Sequence, residues 1–150
     1  MPITLSVLVF RGDPVDAMEY RHAGIYLDYG KDQSSMMHVV GAPGVFRFQE
    51  DDKMDYAKSE KLERHILVTT LHKGFTRDMV KAACSRTPVK NDGSEWNCQH
   101  WVGDALKELM KLGVQCLTKE QREEALDKMT AAVAEAKDEK HLCVTVSGWT

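Results

Sequence analysis

The spacing of hydrophobic positions changes halfway along the chain. Ile3, Leu5, Val7 and Val9 alternate with Thr4, Ser6 and Leu8, and this period of two predicts a first strand. Arg11-Gly12-Asp13-Pro14 marks a turn. Short apolar runs follow at 22–27, 36–40, 45–48 and 62–71, separated by Tyr29-Gly30 and by Gly41-Ala42-Pro43-Gly44. They predict four more strands. The charged stretch 49–60 reads as an exposed connection.

From residue 76 onward the spacing is helical. A short helix over 76–84 turns Met79, Val80 and Ala83 inward, and the Pro88 and Asp92-Gly93 of 87–95 make a loop. Beyond it, Cys98, Trp101, Val102, Ala105, Leu106, Leu109 and Leu112 share one helical face, with Lys107, Glu108 and Lys111 opposite. Asn97 stands where an N-cap belongs and Gly113 where a C-terminal glycine belongs. Thr118-Lys119-Glu120-Gln121 opens a last helix, to about residue 137, as a capping box. Its stripe of Ala125, Leu126, Met129, Val133 and Ala136 is narrow and its other faces are charged, so it reads as a surface helix. Residues 142–146 read as a terminal strand. Strands first and helices after predict an α+β fold with an antiparallel sheet. A single domain is expected over 1–150, with 118–138 as an added surface helix.

Composition narrows the function classes. The chain has 150 residues, 43% hydrophobic and 29% charged, with a net charge of −3. That mild charge implies no nucleic-acid or anionic-membrane surface. Residues 1–10 are too few to span a bilayer and lack the basic start and cleavage site of a signal peptide. The four cysteines, Cys84, Cys98, Cys116 and Cys143, form no C-x-x-C pair, so reduced thiols and a cytoplasmic location are expected. No cofactor is indicated, and the partner expected is a small acyl compound or a peptide or protein amide.

The candidate chemistry centres on Cys98. In the first turn of a helix, the dipole and the free N–H groups favour an anion and so a thiolate. A cysteine on an apolar face is more often a small buried hydrophobe, so Cys98 needs a base beside it to count as a nucleophile. His22 opens one predicted strand and His38 lies in the next. Paired as an antiparallel hairpin, these strands bring both histidines toward one end of the sheet. His22 then meets Cys98, and His38 holds the far nitrogen of His22. The same three ligand types also suit zinc, but the short spacing of a metal motif is absent. His65, His72, His100 and His141 carry no motif; His100 points off the apolar face and reads as support for the loop before the helix.

Here the sequence resembles a known family. Asn97-Cys98-Gln99-His100-Trp101-Val102 resembles the Asn-Cys-Glu-His-Phe-Val motif of lecithin:retinol acyltransferase-like enzymes. Tyr20-Arg21-His22-Ala23-Gly24-Ile25-Tyr26 resembles their histidine strand, and Met36-Met37-His38-Val39 their second one. His22-Ala23-Gly24-Ile25 is equally similar to the permuted papain-fold isopeptidases that remove ubiquitin-like modifiers. The resemblance covers about a third of the chain. Ala23 stands where the first family has tryptophan, and Gln99 replaces glutamate. Residues 117–150 read as a helix and a strand in place of that family's C-terminal membrane anchor.

The resemblance implies a circularly permuted papain-like fold with histidine ahead of cysteine. It implies Cys98 as nucleophile, His22 as base and His38 as third member. The implied activity is acyl transfer through a Cys98 thioester, resolved by water, an amine or a hydroxyl. Removal of a ubiquitin-like modifier, or a non-catalytic binding domain on the same fold, are the alternatives. The Cys98 N–H is the obvious oxyanion donor, with Gln99 and the Asn97 amide as candidates for a second. Trp96, Trp101, Tyr26 and Gln99 are the candidate substrate-binding residues.

Overall fold

The computed structural model describes residues 2–93 and 95–136. The expected strand at 142–146, together with Cys143 and His141, lies outside the described residues. Five strands, β1 (Thr4–Phe10), β2 (His22–Gly30), β3 (Gln33–Val40), β4 (Arg47–Asp51) and β5 (Leu62–Thr70), precede three helices. The helices are α1 (Arg77–Ser85), α2 (Cys98–Met110) and α3 (Lys119–Ala134). The strands form one sheet in the order β4-β3-β2-β1-β5, with every neighbouring pair antiparallel. An α+β fold with an antiparallel sheet is therefore observed.

Alternation along the strands divides the sheet into two faces. Leu5, Val7 and Val9 of β1, Ile25 and Leu27 of β2, and Met37 and Val39 of β3 form the main core with the helices. Trp101, Val102, Ala105, Leu106 and Leu109 of α2 fill it from the helical side. The other face carries a smaller cluster of Leu8, Phe10, Tyr26 and Met36, covered by Tyr56, Ala57 and Leu62. Tyr56 belongs to a 3-10 turn, Tyr56–Lys58, inside the stretch whose charge suggested a plain connection.

Several boundaries differ from the sequence reading: β2 runs on to Gly30 and β3 starts at Gln33, where 22–27 and 36–40 were expected. The fourth strand runs over Arg47–Asp51 rather than 45–48, so Gln49, Glu50 and Asp51 are strand residues. As the edge strand next to β3, β4 needs no apolar alternation, which is why its polar end reads as loop. The last helix ends at Ala134. It packs on β5, β1 and α2 through Ala125, Met129, Ala132 and Val133. Among the described residues no helix is long and apolar enough to cross a membrane.

Candidate active site

The start of α2 is fixed by its own sequence. The Asn97 side chain accepts from the backbone N–H groups of Gln99 and His100, at 3.0 and 3.4 Å. His100 Nδ1 in turn accepts from the Asn97 N–H at 3.1 Å. This reciprocal cap satisfies donors that the first turn of a helix leaves open. It gives His100 the supporting role expected of it and sets Cys98 as the first helical residue.

Cys98 meets the start of β2. The registered β2–β3 ladder begins at Ile25↔Met37. Ahead of it, the strand backbone turns to the thiol: Arg21 C=O lies 3.9 Å from Cys98 Sγ, and the Ala23 N–H donates to the sulfur. These two groups flank His22 in the chain. Cys98, His22 and His38 line one cavity of about 770 Å³.

The two histidines are joined directly. His22 Nε2 and His38 Nδ1 lie 2.7 Å apart, and His38 Nε2 lies 2.8 Å from Asp51 Oδ2. Gln49 Nε2 and the Tyr56 hydroxyl donate to the same carboxylate oxygen, at 2.6 and 2.9 Å. Phe10 stacks on His22, and the Tyr56 ring meets His38 edge-on. Gly24 makes the histidine pair possible: a Cβ there would sit 2.9 Å from His38 Cβ and 2.3 Å from Met36 Cε. With no side chain at residue 24, His38 has room beside the strand that carries His22.

The charges settle the proton positions. Burial pushes the Asp51 carboxyl up, but hydrogen bonds from Gln49, His38 and Tyr56 outweigh it, and its pKa falls below the ordinary value. Burial and the nearby carboxylate hold Tyr56 protonated, pushed up to about 12. His22 is pushed down to about 4, by burial first and the neighbouring His38 second. Burial also lowers His38, against the opposing pull of Asp51. Both rings are therefore neutral at neutral pH. An ionised Asp51 can only accept, so His38 Nε2 carries its proton and His38 Nδ1 accepts. His22 Nε2 then carries the donated proton, and His22 Nδ1 is left as the ring's basic nitrogen.

The thiol departs from the thiolate expected at a helix start. Burial pushes the Cys98 pKa up, and the Ala23, Cys98 and Gln99 N–H groups offset this only in part. At neutral pH Cys98 is therefore a thiol and His22 a neutral imidazole, and both line the one cavity.

The candidate substrate-binding residues divide. Trp96 lines the cavity, its ring meeting Phe46 edge-on and its Nε1 donating to Asp104 at 3.2 Å. The other three do not line it. Trp101 is fully buried in the core beside Phe48. Tyr26 lies in the cluster on the other face of the sheet, its hydroxyl bound to Asp55 at 2.6 Å. Gln99 donates to Arg21 C=O and Met18 C=O, at 3.2 and 3.4 Å, which ties α2 to the start of β2.

Sequence reasoning missed Asp51 and Tyr56, the groups behind His38. It also missed the buried Arg21–Asp16 pair, which holds the residue preceding His22. Arg21 Nε and Nη2 donate to the two Asp16 oxygens at 2.8 Å each, and Nη1 donates to Ala132 C=O of α3 at 2.8 Å. Among the described residues, no group of three or more His, Cys, Asp or Glu side chains is arranged to hold a metal ion.

A family described only as a family of unknown function, DUF6540, matches residues 9–115, well over half of the chain, and the chain belongs to it. The matched segment includes Cys98, His22, His38 and Asp51 and ends ahead of α3. No curated protein and no solved structure matches the chain.

Proposed function

We propose that this DUF6540 protein is a cysteine-dependent acyl-transfer enzyme of the permuted papain-like kind, with Cys98 as nucleophile and His22 as base. The observation that carries this reading is that Cys98 Sγ, held by the backbone of Arg21 and Ala23 on either side of His22, shares one cavity with His22 and His38, and that these rings form a hydrogen-bonded chain to Asp51. A core cysteine has no need of an ordered relay of two neutral imidazoles ending on a carboxylate.

In the proposed reaction, His22 Nδ1 takes the thiol proton as Sγ attacks the carbonyl carbon of an ester or amide. Attack and deprotonation occur together, because the resting thiol is protonated. The new oxyanion faces the Cys98 N–H at the free start of α2. Asn97 lines the same cavity, and its amide nitrogen is the side-chain donor for a second contact, since Gln99 is held by Met18 and Arg21. The imidazolium gives its proton to the leaving oxygen or nitrogen, and the carbon–oxygen or carbon–nitrogen bond breaks. Water then attacks the thioester with His22 as base, and the proton returns to Sγ.

The test is labelling with a panel of uncharged acyl electrophiles followed by peptide mapping. Acylation confined to Cys98 supports the reading, and acylation elsewhere, or nowhere, counts against it. A Gly-Gly isopeptide conjugate belongs in the same panel, since its cleavage would assign the chemistry to modifier removal.

A further inference from the structure

We infer that the substrate of this cavity joins an apolar acyl group to a positively charged leaving portion, as in an ester of a quaternary amino alcohol or an amide of a polyamine. This inference rests on the acyl-transfer reading and names its substrate class. Much of the cavity wall is apolar, with Val39, Val40, Ala42, Pro43, Phe46 and Trp96 in the lining. An acyl chain is the part of an ester or amide that such a wall accepts.

Among the described residues, the charged lining is acidic apart from Arg21. Asp13 comes from the connection between β1 and β2, Glu19 from the 3-10 turn Met18–Tyr20, and Glu95 from the loop ahead of α2. Three separate segments thus bring carboxylates to the cavity that holds Cys98. Arg21 is the one basic lining residue among those described. Its guanidinium is buried and engaged by both Asp16 oxygens and by Ala132 C=O, so it is held within the protein. Lys61 Nζ lies 3.9 Å from Asp13, but both groups are more than half exposed, and water and salt screen such a pair.

Aromatic rings point to the same chemistry. Tyr20, 38% exposed, brings its ring to the same cavity. Aromatic faces beside carboxylates are the surroundings in which organic cations bind. A phosphate, sulfonate or carboxylate on the substrate would instead meet the Asp13 and Glu95 carboxylates, in a cleft that concentrates their field. The covalent steps are those already given. The cationic alcohol or amine leaves with the proton from His22, and water releases the free acid.

Three butyrate esters of nearly equal shape test this. Their alcohols are choline, its uncharged isostere 3,3-dimethylbutanol, and the anion 2-hydroxyethanesulfonate. Released butyrate is followed for the full-length protein at low and high salt. The expected order of kcat/KM is choline, then dimethylbutyl, then sulfoethyl, with at least about a tenfold ratio between first and last at low salt that shrinks at high salt. Combining Asp13→Asn with Glu95→Gln narrows that ratio. Equal rates for the three esters, a preference for the anion, or a ratio unmoved by the double variant would overturn the inference. If uncharged electrophiles acylate Cys98 but none of the three esters turns over, this substrate class fails and the acyl-transfer reading stands. If nothing acylates Cys98, the acyl-transfer reading itself fails.

Discussion

His38 Nε2 lies 2.8 Å from Asp51 Oδ2, and this contact fixes the tautomer of the ring that bonds His22. Because the carboxylate can only accept, His38 must donate to it and so must accept from His22. The basic nitrogen of His22 is thereby set by a residue two hydrogen bonds away. Asp51 is a positioning residue in this account.

Substitutions at Asp51 separate tautomer control from simple support. In Asp51→Asn, an amide N–H directed at His38 Nε2 reverses both rings, leaving a proton on His22 Nδ1. Turnover should fall by roughly 10²-fold, since fixing the wrong tautomer in a catalytic triad costs more still. Asp51→Ala lets water take either role and should cost less than Asn. His22→Ala should cost the most, on the order of 10²- to 10⁴-fold, because both proton transfers are lost. His38→Ala should fall between Asp51→Ala and His22→Ala. Steady-state kcat for the four variants checks the order; Asp51→Ala at or below Asp51→Asn would contradict tautomer control.

The pH dependence follows from the two lowered histidines. Folded His22 takes a proton only near pH 4, whereas an unfolded histidine does so near its ordinary value of about 6.5. Below about pH 6.5 the unfolded chain therefore binds more protons, and stability falls with pH down to about 4. Each such histidine contributes about 1.4 kcal/mol per pH unit across its window. His38 acts with the same sign. Asp16, held at about 2 mainly by its hydrogen bond from Arg21, extends the loss below the ordinary carboxylate value. Urea midpoints should be level between about pH 7 and 8 and should drop between pH 6.5 and 4.5. Over the folded range, kcat/KM should show no acid limb near pH 6.5; a limb there would mean that His22 titrates as an exposed ring.

Alkylation distinguishes the thiols. Cys84 is fully buried, with its pKa pushed up to about 12 by burial first and Glu50 second. Cys116 is also buried and raised. Cys98 is half-buried, opens to the cavity and has three N–H groups near its sulfur. Limiting iodoacetamide at neutral pH should modify Cys98 ahead of both. Faster modification of Cys84 or Cys116, read by peptide mass mapping, would contradict the assignment.

The parts of the site on strongly patterned elements were legible in the sequence. The apolar stripe of α2 with its Asn97 cap placed Cys98 at a helix start. Antiparallel pairing of two short apolar runs brought His22 and His38 together. Asp51 was hidden because β4 is a partly exposed edge strand whose polar residues look like loop. Trp101 and Tyr26 were misplaced because an aromatic side chain near a motif fits a core as well as a groove. The protonated thiol was missed because a helix start reports only the donors around a cysteine and not the burial that opposes them. Nothing local in the sequence signals that Arg21 reaches Ala132, 111 residues away.

The central claim is that Cys98 carries the acyl group, and intact-protein mass spectrometry after rapid acid quench tests it most directly. Wild type mixed with an activated, uncharged acyl ester should gain one acyl mass. That mass should map to Cys98 and be released by neutral hydroxylamine, as a thioester is. Cys98→Ala should keep its fold by circular dichroism and gain no acyl mass. Cys98→Ser should turn over little, because its hydroxyl is a far weaker nucleophile than the thiol. An adduct that persists in Cys98→Ala, or a wild-type adduct that maps to Cys84 or Cys116, would contradict the account.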